Sequence, residues 1–432
     1  MESAQIVAIP SHCAPGHSAL TILTTMPPRR IRLIALSILL FIFFTLILHR
    51  KWLRRLFDSK APEVQYAASI LSQELESLTA QPPKDVELAT WHANLSPGSP
   101  APGGSNYTEM IVVGKLKRED ISWIDEELPD FPKAVYGIDD RHAALRPPKN
   151  KGHEATVYLS YVIDFYDALP DVSIFIHAHR WAWHNNDLLD KDTAMMIRQL
   201  NAERVVREGY MNLRCHWFPG CPSWLKTHTA ESDVDDEKKE EVLVAKAWAE
   251  LWPQEKMPDV LSQPCCSQFA VSRDRIRALS KAEYERLRHW LLSTKISDNM
   301  SGRIFEYLWQ WIWKGESSYC PDTQECYCDG FGVCFDSDQE FNGWLEERYR
   351  GKEDDLDWIK WQIQDEAYHF YSRKGMHDEA MRVDRLGESA MMDFKTKMDV
   401  RWFGLWEKRE LALANGRNSL KRQAILARIM GR

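Results

Sequence analysis

The sequence has no excess of positive charge and no internal repeats. Its 432 residues include 55 Lys and Arg against 63 Asp and Glu, a formal net charge of −8 at pH 7. This balance excludes the broad positive field typical of nucleic-acid-binding proteins. With 44% apolar and 27% charged residues, the chain also falls outside the collagenous, wholly disordered and multi-span membrane classes. It is therefore expected to be globular, with one large domain or two average ones.

Charged residues are missing from one segment near the N-terminus. Residues 33–48 read LIALSILLFIFFTLIL, and with the two residues before them they would form a helix of about 27 Å, enough to cross a bilayer. A cleaved signal peptide is the alternative, but a basic run, HRKWLRR, follows in place of a small-x-small cleavage site. We predict a retained transmembrane signal anchor over residues 31–49, after a short tail over residues 1–30 in which Met26 is an alternative start.

The side of the membrane that the body faces is indicated by two opposing signals. Basic residues flank the anchor on both sides, with a slight excess after it, which favours a cytoplasmic body. Eight of the nine cysteines and three N-x-S/T sequons, at Asn94, Asn106 and Asn299, follow the anchor, which favours an oxidising lumen. We predict a single-pass type II protein of the Golgi or ER with a lumenal body, N-glycosylated at Asn106 and Asn299.

Four of these cysteines are crowded into a short stretch, at Cys320, Cys326, Cys328 and Cys334. An even number of lumenal cysteines predicts that these four form disulfides. A zinc site is the alternative, but the stretch lacks the CxxC pairs typical of zinc ligands.

The remaining chain divides by composition and periodicity into three regions. A Pro-rich stem is predicted over residues 50–106, an α/β domain over 107–345 and a charged helical extension over 346–432. In the middle region, short apolar runs that predict buried strands alternate with segments of helical period, so a mainly parallel sheet is expected. The predicted strands are Met110–Val113, Ala134–Tyr136, Val172–His177 and Phe269–Val271.

Polar and aromatic side chains follow two of these strands. Ligands of open α/β sheets bind beyond the carboxyl ends of the strands. Asp139 follows the second strand, and a run containing His177, His179, Trp181 and Trp183 follows the third. The two histidines would face one side if the strand continued. As an alternative, the histidines cap a loop and the tryptophans fill the core.

Two further segments are candidates for chemistry. Lys151 and Gly152 precede a predicted helix, where backbone N–H groups and a positive charge can bind phosphate, although such turns also serve only as caps. Arg303 and Glu306 lie one helical turn apart. They form either a surface ion pair or a site in which Glu306 acts as a base.

Several segments, taken in order, resemble a mostly fungal family catalogued as domain of unknown function 3431. The resemblance covers about residues 107–315. The pattern is in turn similar to nucleotide-sugar-dependent glycosyltransferases of the GT-A type, which implies a GT-A/Rossmann-like, mainly parallel sheet with helices on both faces. The segments that carry the resemblance are Val112–Lys115, Glu119–Asp125, Asn150–Ala155, Leu169–Asp171, Ile174–His177, Gln268–Arg273 and Glu306–Trp309.

The resemblance implies glycosyl transfer from a nucleotide sugar to a glycan, glycolipid or secondary-metabolite hydroxyl. GT-A enzymes usually bind Mn²⁺ through an Asp-x-Asp, where this chain has His177-Ala-His179, so these histidines are the candidate ligands of a divalent metal or the diphosphate. A non-catalytic lumenal carbohydrate-binding or scaffold protein is the alternative. In the transferase interpretation Glu306 and His179 are catalytic, and the substrate is bound by Asp139, Lys151, Gly152, Trp181 and Trp183.

Overall fold

Most of the chain beyond residue 105 is described in the computed structural model. The described residues are 71–74, 76, 80–81, 87, 97–102, 106–227 and 240–431, and they belong to one compact unit. No helix among them is both long and apolar enough to cross a bilayer. The predicted tail, the anchor at 31–49, most of the stem and the sequon at Asn94 lie outside these residues.

A five-stranded sheet forms the centre of the fold, in the order β2-β1-β3-β7-β4. Strand β1 pairs in parallel with β2 and β3, whereas β7 is antiparallel to both β3 and β4. The sheet is therefore mostly parallel, as predicted, and the four predicted strands are confirmed. Strand β4 and the small antiparallel pair of β5 and β6 were not predicted. The strands are Glu109–Lys115 (β1), Lys133–Gly137 (β2), Val172–Ile176 (β3), Tyr210–Asn212 (β4), Leu225–Lys226 (β5), Val260–Leu261 (β6) and Phe269–Ser272 (β7).

Helices separate and follow the strands. A 3₁₀ turn over Asp187–Leu189 and a π-helical turn over Cys326–Gly330 complete the described helical structure. The α-helices are Ser122–Glu127 (α1), Glu154–Phe165 (α2), Thr193–Gln199 (α3), Ala202–Glu208 (α4), Glu240–Leu251 (α5), Arg273–Arg277 (α6), Lys281–Ser293 (α7), Asp298–Glu306 (α8), Trp309–Lys314 (α9), Thr323–Glu325 (α10), Asp338–Arg373 (α11), His377–Met381 (α12), Glu388–Arg417 (α13) and Ser419–Met430 (α14).

Both faces of the sheet are covered by helices. Successive side chains of a strand point to opposite faces. Val112 and Phe175 pack with α2, α7 and α9 on one face, while Ile111 and Ile174 pack with α1, α3 and α4 on the other. Each fully buried large apolar side chain stabilises the fold by about 1.5–3 kcal/mol. The first cluster is also filled by buried tryptophans, namely Trp248, Trp252, Trp309, Trp311 and Trp313.

The long helix α11 joins the C-terminal helices to the α/β domain. It has 36 residues, and the domain boundary predicted near residue 346 falls inside it. Its Trp344 Nε1 donates a hydrogen bond to the carbonyl of Leu405 in α13 at 2.9 Å. Its Arg348 and Lys352 each lie 3.1 Å from the carboxylate of Asp187. These ion pairs hold α11 against the loop that follows β3.

All eight cysteines of the described residues are paired in disulfides. The prediction that Cys320, Cys326, Cys328 and Cys334 form disulfides is therefore confirmed, and the zinc alternative is wrong. Two of the four disulfides join residues that are far apart in the sequence. These two connect the residues near 320 to those near 215. The pairs are Cys215–Cys326, Cys221–Cys320, Cys265–Cys266 and Cys328–Cys334.

Candidate active site

The loop after β3 is held in place by several polar contacts. Strand β3 ends at Ile176, and Trp123 Nε1 donates a hydrogen bond to the carbonyl of Ala178 at 2.9 Å. Further along, the guanidinium of Arg180 pairs with the carboxylate of Asp192 at 2.9 Å, closing the loop upon itself. The side chains that follow β3 are thus presented from a fixed backbone at the carboxyl end of the strand.

A cavity of about 350 Å³ opens beside this loop, and we call it the Glu306 cavity. It brings together three of the predicted site residues, His177, Trp183 and Glu306, which come from two distant parts of the chain. Its other lining residues are His153, Glu154, His184, Pro219, Gly220, Trp224, Gln263, Cys265, Cys266, Asn299, Gly302, Arg303 and Tyr307.

Glu306 is the last residue of α8, and its carboxylate is oriented by the backbone. Its Oε1 accepts a hydrogen bond from the Cys266 N–H at 2.7 Å. Burial raises the pKa of Glu306 to about 7, and the negative charge of Glu154 acts in the same direction. A carboxylate with this pKa can accept and return a proton near neutral pH, as general acid–base catalysis requires. The surface ion pair with Arg303 is not formed, because Arg303 pairs with Glu240 at 3.6 Å.

Two neutral histidines face the same cavity. The rings of His177 and His184 are 5.2 Å apart between centroids. Burial lowers the pKa of His177, and it lowers the pKa of His184 to about 3. The buried Nε2 of His177 has no hydrogen-bond partner among the described residues. A buried polar nitrogen without a partner is costly, so it is suited to a hydrogen bond with a ligand.

Aromatic side chains are exposed where the cavity meets solvent. Trp183 lines the cavity with 64% of its surface exposed, and the guanidinium of Arg214 lies 5.7 Å from its ring. Trp181 is equally exposed but does not line the cavity, and it carries Arg180 over its ring at 4.4 Å. Neither tryptophan fills the core. Trp183 offers an open aromatic face at the cavity entrance.

The structure does not bring His179 to the cavity. The expectation that His177 and His179 face one side required β3 to continue, but the strand ends at Ile176 and His179 is exposed elsewhere. In the part of the chain that is described, Cys265, Cys266 and Glu306 are the one group of three potential ligands within 4.8 Å of one another. Both sulfurs belong to a disulfide and are not the thiolates that bind metals. These residues do not fit a metal site, and no step proposed below uses one.

The predicted phosphate and nucleotide contacts are also placed apart from the Glu306 cavity. The Lys151 ammonium donates a hydrogen bond to the carbonyl of Ile296. The Gly152 N–H donates to the carboxylate of Asp298 at 2.5 Å. Asp139 lines a different cavity. The groups expected to bind phosphate in the turn before α2 therefore already have partners within the protein.

Both predicted glycosylation residues that the structure describes are exposed. Asn106 lies just before β1, and Asn299 lies in the first turn of α8, where it also lines the Glu306 cavity. A glycan on Asn299 would stand at the cavity entrance. Glycosylation at both positions stays a prediction.

Sequence reasoning missed two cavity residues, Cys265 and Cys266. They form a disulfide between adjacent residues, and Cys266 and the next residue, Ser267, have positive φ values of 89° and 51°. Positive φ is unfavourable for side chains of this size. The adjacency of the two cysteines was the available signal, but it cannot reveal which cysteine pairs with which.

Removal of this disulfide is expected to change the pKa of Glu306. In a Cys265→Ser/Cys266→Ser variant the backbone is free to leave positive φ. The N–H of residue 266 then moves away from Glu306, and the hydrogen bond that lowers its pKa is lost. We expect the pKa of Glu306 to rise above about 7. Carboxyl ¹³C NMR on Glu-labelled protein, with Glu306→Gln to assign the signal, measures it. The control, Cys328→Ser/Cys334→Ser, should leave this pKa unchanged. An unchanged or lower pKa in the first variant would contradict the expectation.

The family model described as "Protein of unknown function (DUF3431)" matches residues 111–329. This chain belongs to that family. The match includes every residue that lines the Glu306 cavity, and it confirms the resemblance read from the sequence. No curated protein and no solved structure matches this DUF3431 member.

Proposed function

We propose that this protein is a glycosyltransferase-like enzyme that transfers a sugar from a nucleotide sugar to a hydroxyl group in the Glu306 cavity. The observation that carries the proposal is the half-buried carboxylate of Glu306, oriented by the Cys266 N–H and with a pKa of about 7. Activating a hydroxyl nucleophile at neutral pH needs a general base of this kind.

The other cavity residues have roles that follow from their chemistry. Glu306 accepts the proton of the acceptor hydroxyl as its oxygen attacks the anomeric carbon and the nucleoside diphosphate leaves. His177, neutral and with a free buried Nε2, hydrogen-bonds a sugar hydroxyl. Trp183 stacks on the apolar face of a sugar ring. Glu154 keeps the pKa of Glu306 high through its charge.

The fold and the cysteines support the proposal and its setting. A mostly parallel sheet with a cavity beyond a strand end agrees with a GT-A/Rossmann-like interpretation. Disulfides are typical of oxidising compartments, and four are present. We therefore place the body in the lumen of the ER or Golgi, behind the anchor predicted over residues 31–49, in a single-pass type II topology.

A panel assay tests the proposal. The full-length protein in detergent micelles is incubated with UDP- and GDP-linked hexoses and N-acetylhexosamines, with and without simple glycoside acceptors. We expect release of nucleoside diphosphate from at least one donor, faster when an acceptor is present. Release from none of the donors, while sugars still bind, would overturn the proposal.

One observation favours a second candidate, a non-catalytic carbohydrate-binding protein. Lys151 and the Gly152 N–H, expected to bind phosphate, are occupied by Ile296 and Asp298, whereas the open ring of Trp183 remains available to a sugar. This candidate predicts that Trp183→Ala weakens binding of free oligosaccharides while no donor is ever consumed in the panel assay.

A further inference from the structure

A second cavity lies at the carboxyl end of β2, separate from the Glu306 cavity. It has a volume of about 640 Å³, within the range of small-molecule sites. We call it the Arg288 cavity. It is lined by Gly137, Ile138, Asp139, Asp140, Arg141, Arg146, Pro147, Pro148, Lys149, Asn150, Asp164 and Arg288.

The wall of this cavity is a long loop that is nevertheless well anchored. Between β2 and α2 the chain has no helix or strand for more than a dozen residues, and such loops in compact domains are usually functional. The Gly137 N–H donates to the Leu145 carbonyl at 3.0 Å. A side chain at Gly137 would come within 2.5 Å of Ala143 Cβ. The loop is therefore folded tightly back onto the end of β2.

The negative charges of the cavity already have partners. Asp139 accepts a hydrogen bond from the Lys117 N–H at 2.8 Å, and Asp140 pairs with the Lys117 ammonium at 3.3 Å. Asp164 accepts from the hydroxyl of Tyr136 at 2.8 Å. Each carboxylate thus contacts a donor of the protein itself, although only Asp140 contacts a cation of the described residues.

The positive charges of the cavity have no carboxylate partner in the described part of the chain. Arg141, Arg146, Lys149 and Arg288 line the cavity, and none of them forms an ion pair with a carboxylate of the described residues. The guanidinium of Arg288 donates only to the neutral hydroxyl of Ser160, at 3.2 Å. That of Arg146 contacts the carbonyl of Arg141 at 3.4 Å. The cavity thus carries four cations without a described carboxylate partner against three carboxylates that are hydrogen-bonded or paired within the protein. This excess favours an anion with several oxygens, since guanidinium groups bind phosphate in a bidentate manner.

We propose that the Arg288 cavity binds the diphosphate of the sugar donor, through Arg141, Arg146, Lys149 and Arg288. The inference rests on the proposed function for the identity of the donor. The phosphate-binding role that the sequence predicted for Lys151 and Gly152 is thereby assigned to these four side chains. The loop that carries Lys149 continues directly into His153 and Glu154, which line the Glu306 cavity, so one segment of the chain contributes to both cavities.

Binding of pyrophosphate and of UDP and GDP to the full-length protein tests this, by isothermal titration calorimetry. We expect Arg146→Ala and Arg288→Ala each to weaken binding by about tenfold or more, because each removes a charge-assisted hydrogen bond. Arg288→Lys should give an intermediate loss, and binding should weaken as NaCl is raised. The matched control is Arg286→Ala, on the same helix, where the arginine is paired with Glu283; it should bind like the wild type. Melting curves check that each variant is folded.

The outcomes separate this inference from the proposed function. If the wild type binds pyrophosphate through these arginines but never releases nucleotide from a donor, the anion site stands and the transferase proposal fails. If the arginine variants bind and react like the wild type, the anion site alone is overturned. Cosedimentation with phosphatidylcholine vesicles, with or without a phosphoinositide, tests whether the cavity binds a lipid headgroup instead. Binding only to the phosphoinositide vesicles, with none to soluble diphosphates, would overturn the inference in favour of a lipid headgroup.

Discussion

Replacing Glu306 with glutamine is expected to lower the rate of sugar transfer by about 10²–10⁴-fold, the usual contribution of a general base. Glutamine keeps the shape of the side chain and can still accept the Cys266 N–H, but it cannot take a proton. The melting temperature should change little, because a buried carboxylate with a pKa of about 7 gains no stability at neutral pH from its charge. Nucleotide release from the best donor of the panel measures the effect.

The dependence of the rate on pH gives a second test of the role of Glu306. Glu306 is active when deprotonated, so the wild-type rate should rise with pH through about 7 and level off above it. The residual rate of Glu306→Gln should lack that rise. The matched control is Glu285→Gln, an exposed carboxylate on α7, which should keep both the rate and the profile. A Glu306→Gln enzyme within twofold of the wild type would remove Glu306 from the mechanism.

The strands of the sheet could be predicted because their cores are continuous apolar runs. Met110–Val113 and Val172–His177 predict buried strands by composition alone, and they form β1 and β3. Strand β4, Tyr210–Asn212, has three residues and includes an asparagine, so no pattern separates it from a loop. The paired strands β5 and β6 have two residues each and lie more than thirty residues apart in the sequence, so they are equally hard to recognise.

The site could be predicted only in part, because its members meet through the tertiary fold. His177 lies at the end of β3 and Glu306 at the end of α8, and no spacing rule connects them. The prediction that His177 and His179 face the same side was wrong for a local reason, because β3 stops one residue before His177. The turn at Gly152 has the positive φ of 73° that a glycine permits, but its N–H is used by Asp298. A turn read from sequence shows the backbone shape and not which groups remain free.

The stability of the body depends strongly on Asp187, in the 3₁₀ turn after β3. Only 6% of its side chain is exposed, and its carboxylate contacts Arg348 and Lys352 at 3.1 Å and Lys191 at 3.4 Å. Burial alone would raise the pKa of Asp187, but Lys352 and Arg348 hold it well below its ordinary value. Both cations lie on α11 and have little exposure. Lys352 also pairs with Glu74 at 3.3 Å, whereas Asp187 is the carboxylate that pairs with Arg348 among the described residues.

Replacing Asp187 with asparagine is therefore expected to lower the free energy of unfolding at pH 7 by about 3–5 kcal/mol, because it leaves the largely buried Arg348 without its counter-ion. Among the described carboxylates, Lys352 would retain only its pair with Glu74, at 3.3 Å. The lowered pKa sets the pH dependence. The stabilisation is fully present above the unfolded-state pKa of Asp, about 3.9, and is lost as pH falls through the folded-state value. The difference between wild type and variant should thus be constant from about pH 5 to 7 and shrink below about pH 4.

Urea titrations followed by circular dichroism, at several pH values, measure this difference. The matched control is Asp190→Asn, three residues away, where the carboxylate is 58% exposed and pairs with Arg409. An exposed ion pair contributes about 0–1 kcal/mol, so this control should stay close to the wild type at every pH. Hydrogen exchange adds a local readout, since α11 should lose protection before the sheet does in Asp187→Asn. If that variant unfolds within 1 kcal/mol of the wild type at pH 7, the buried cations find another partner and Asp187 does not anchor α11.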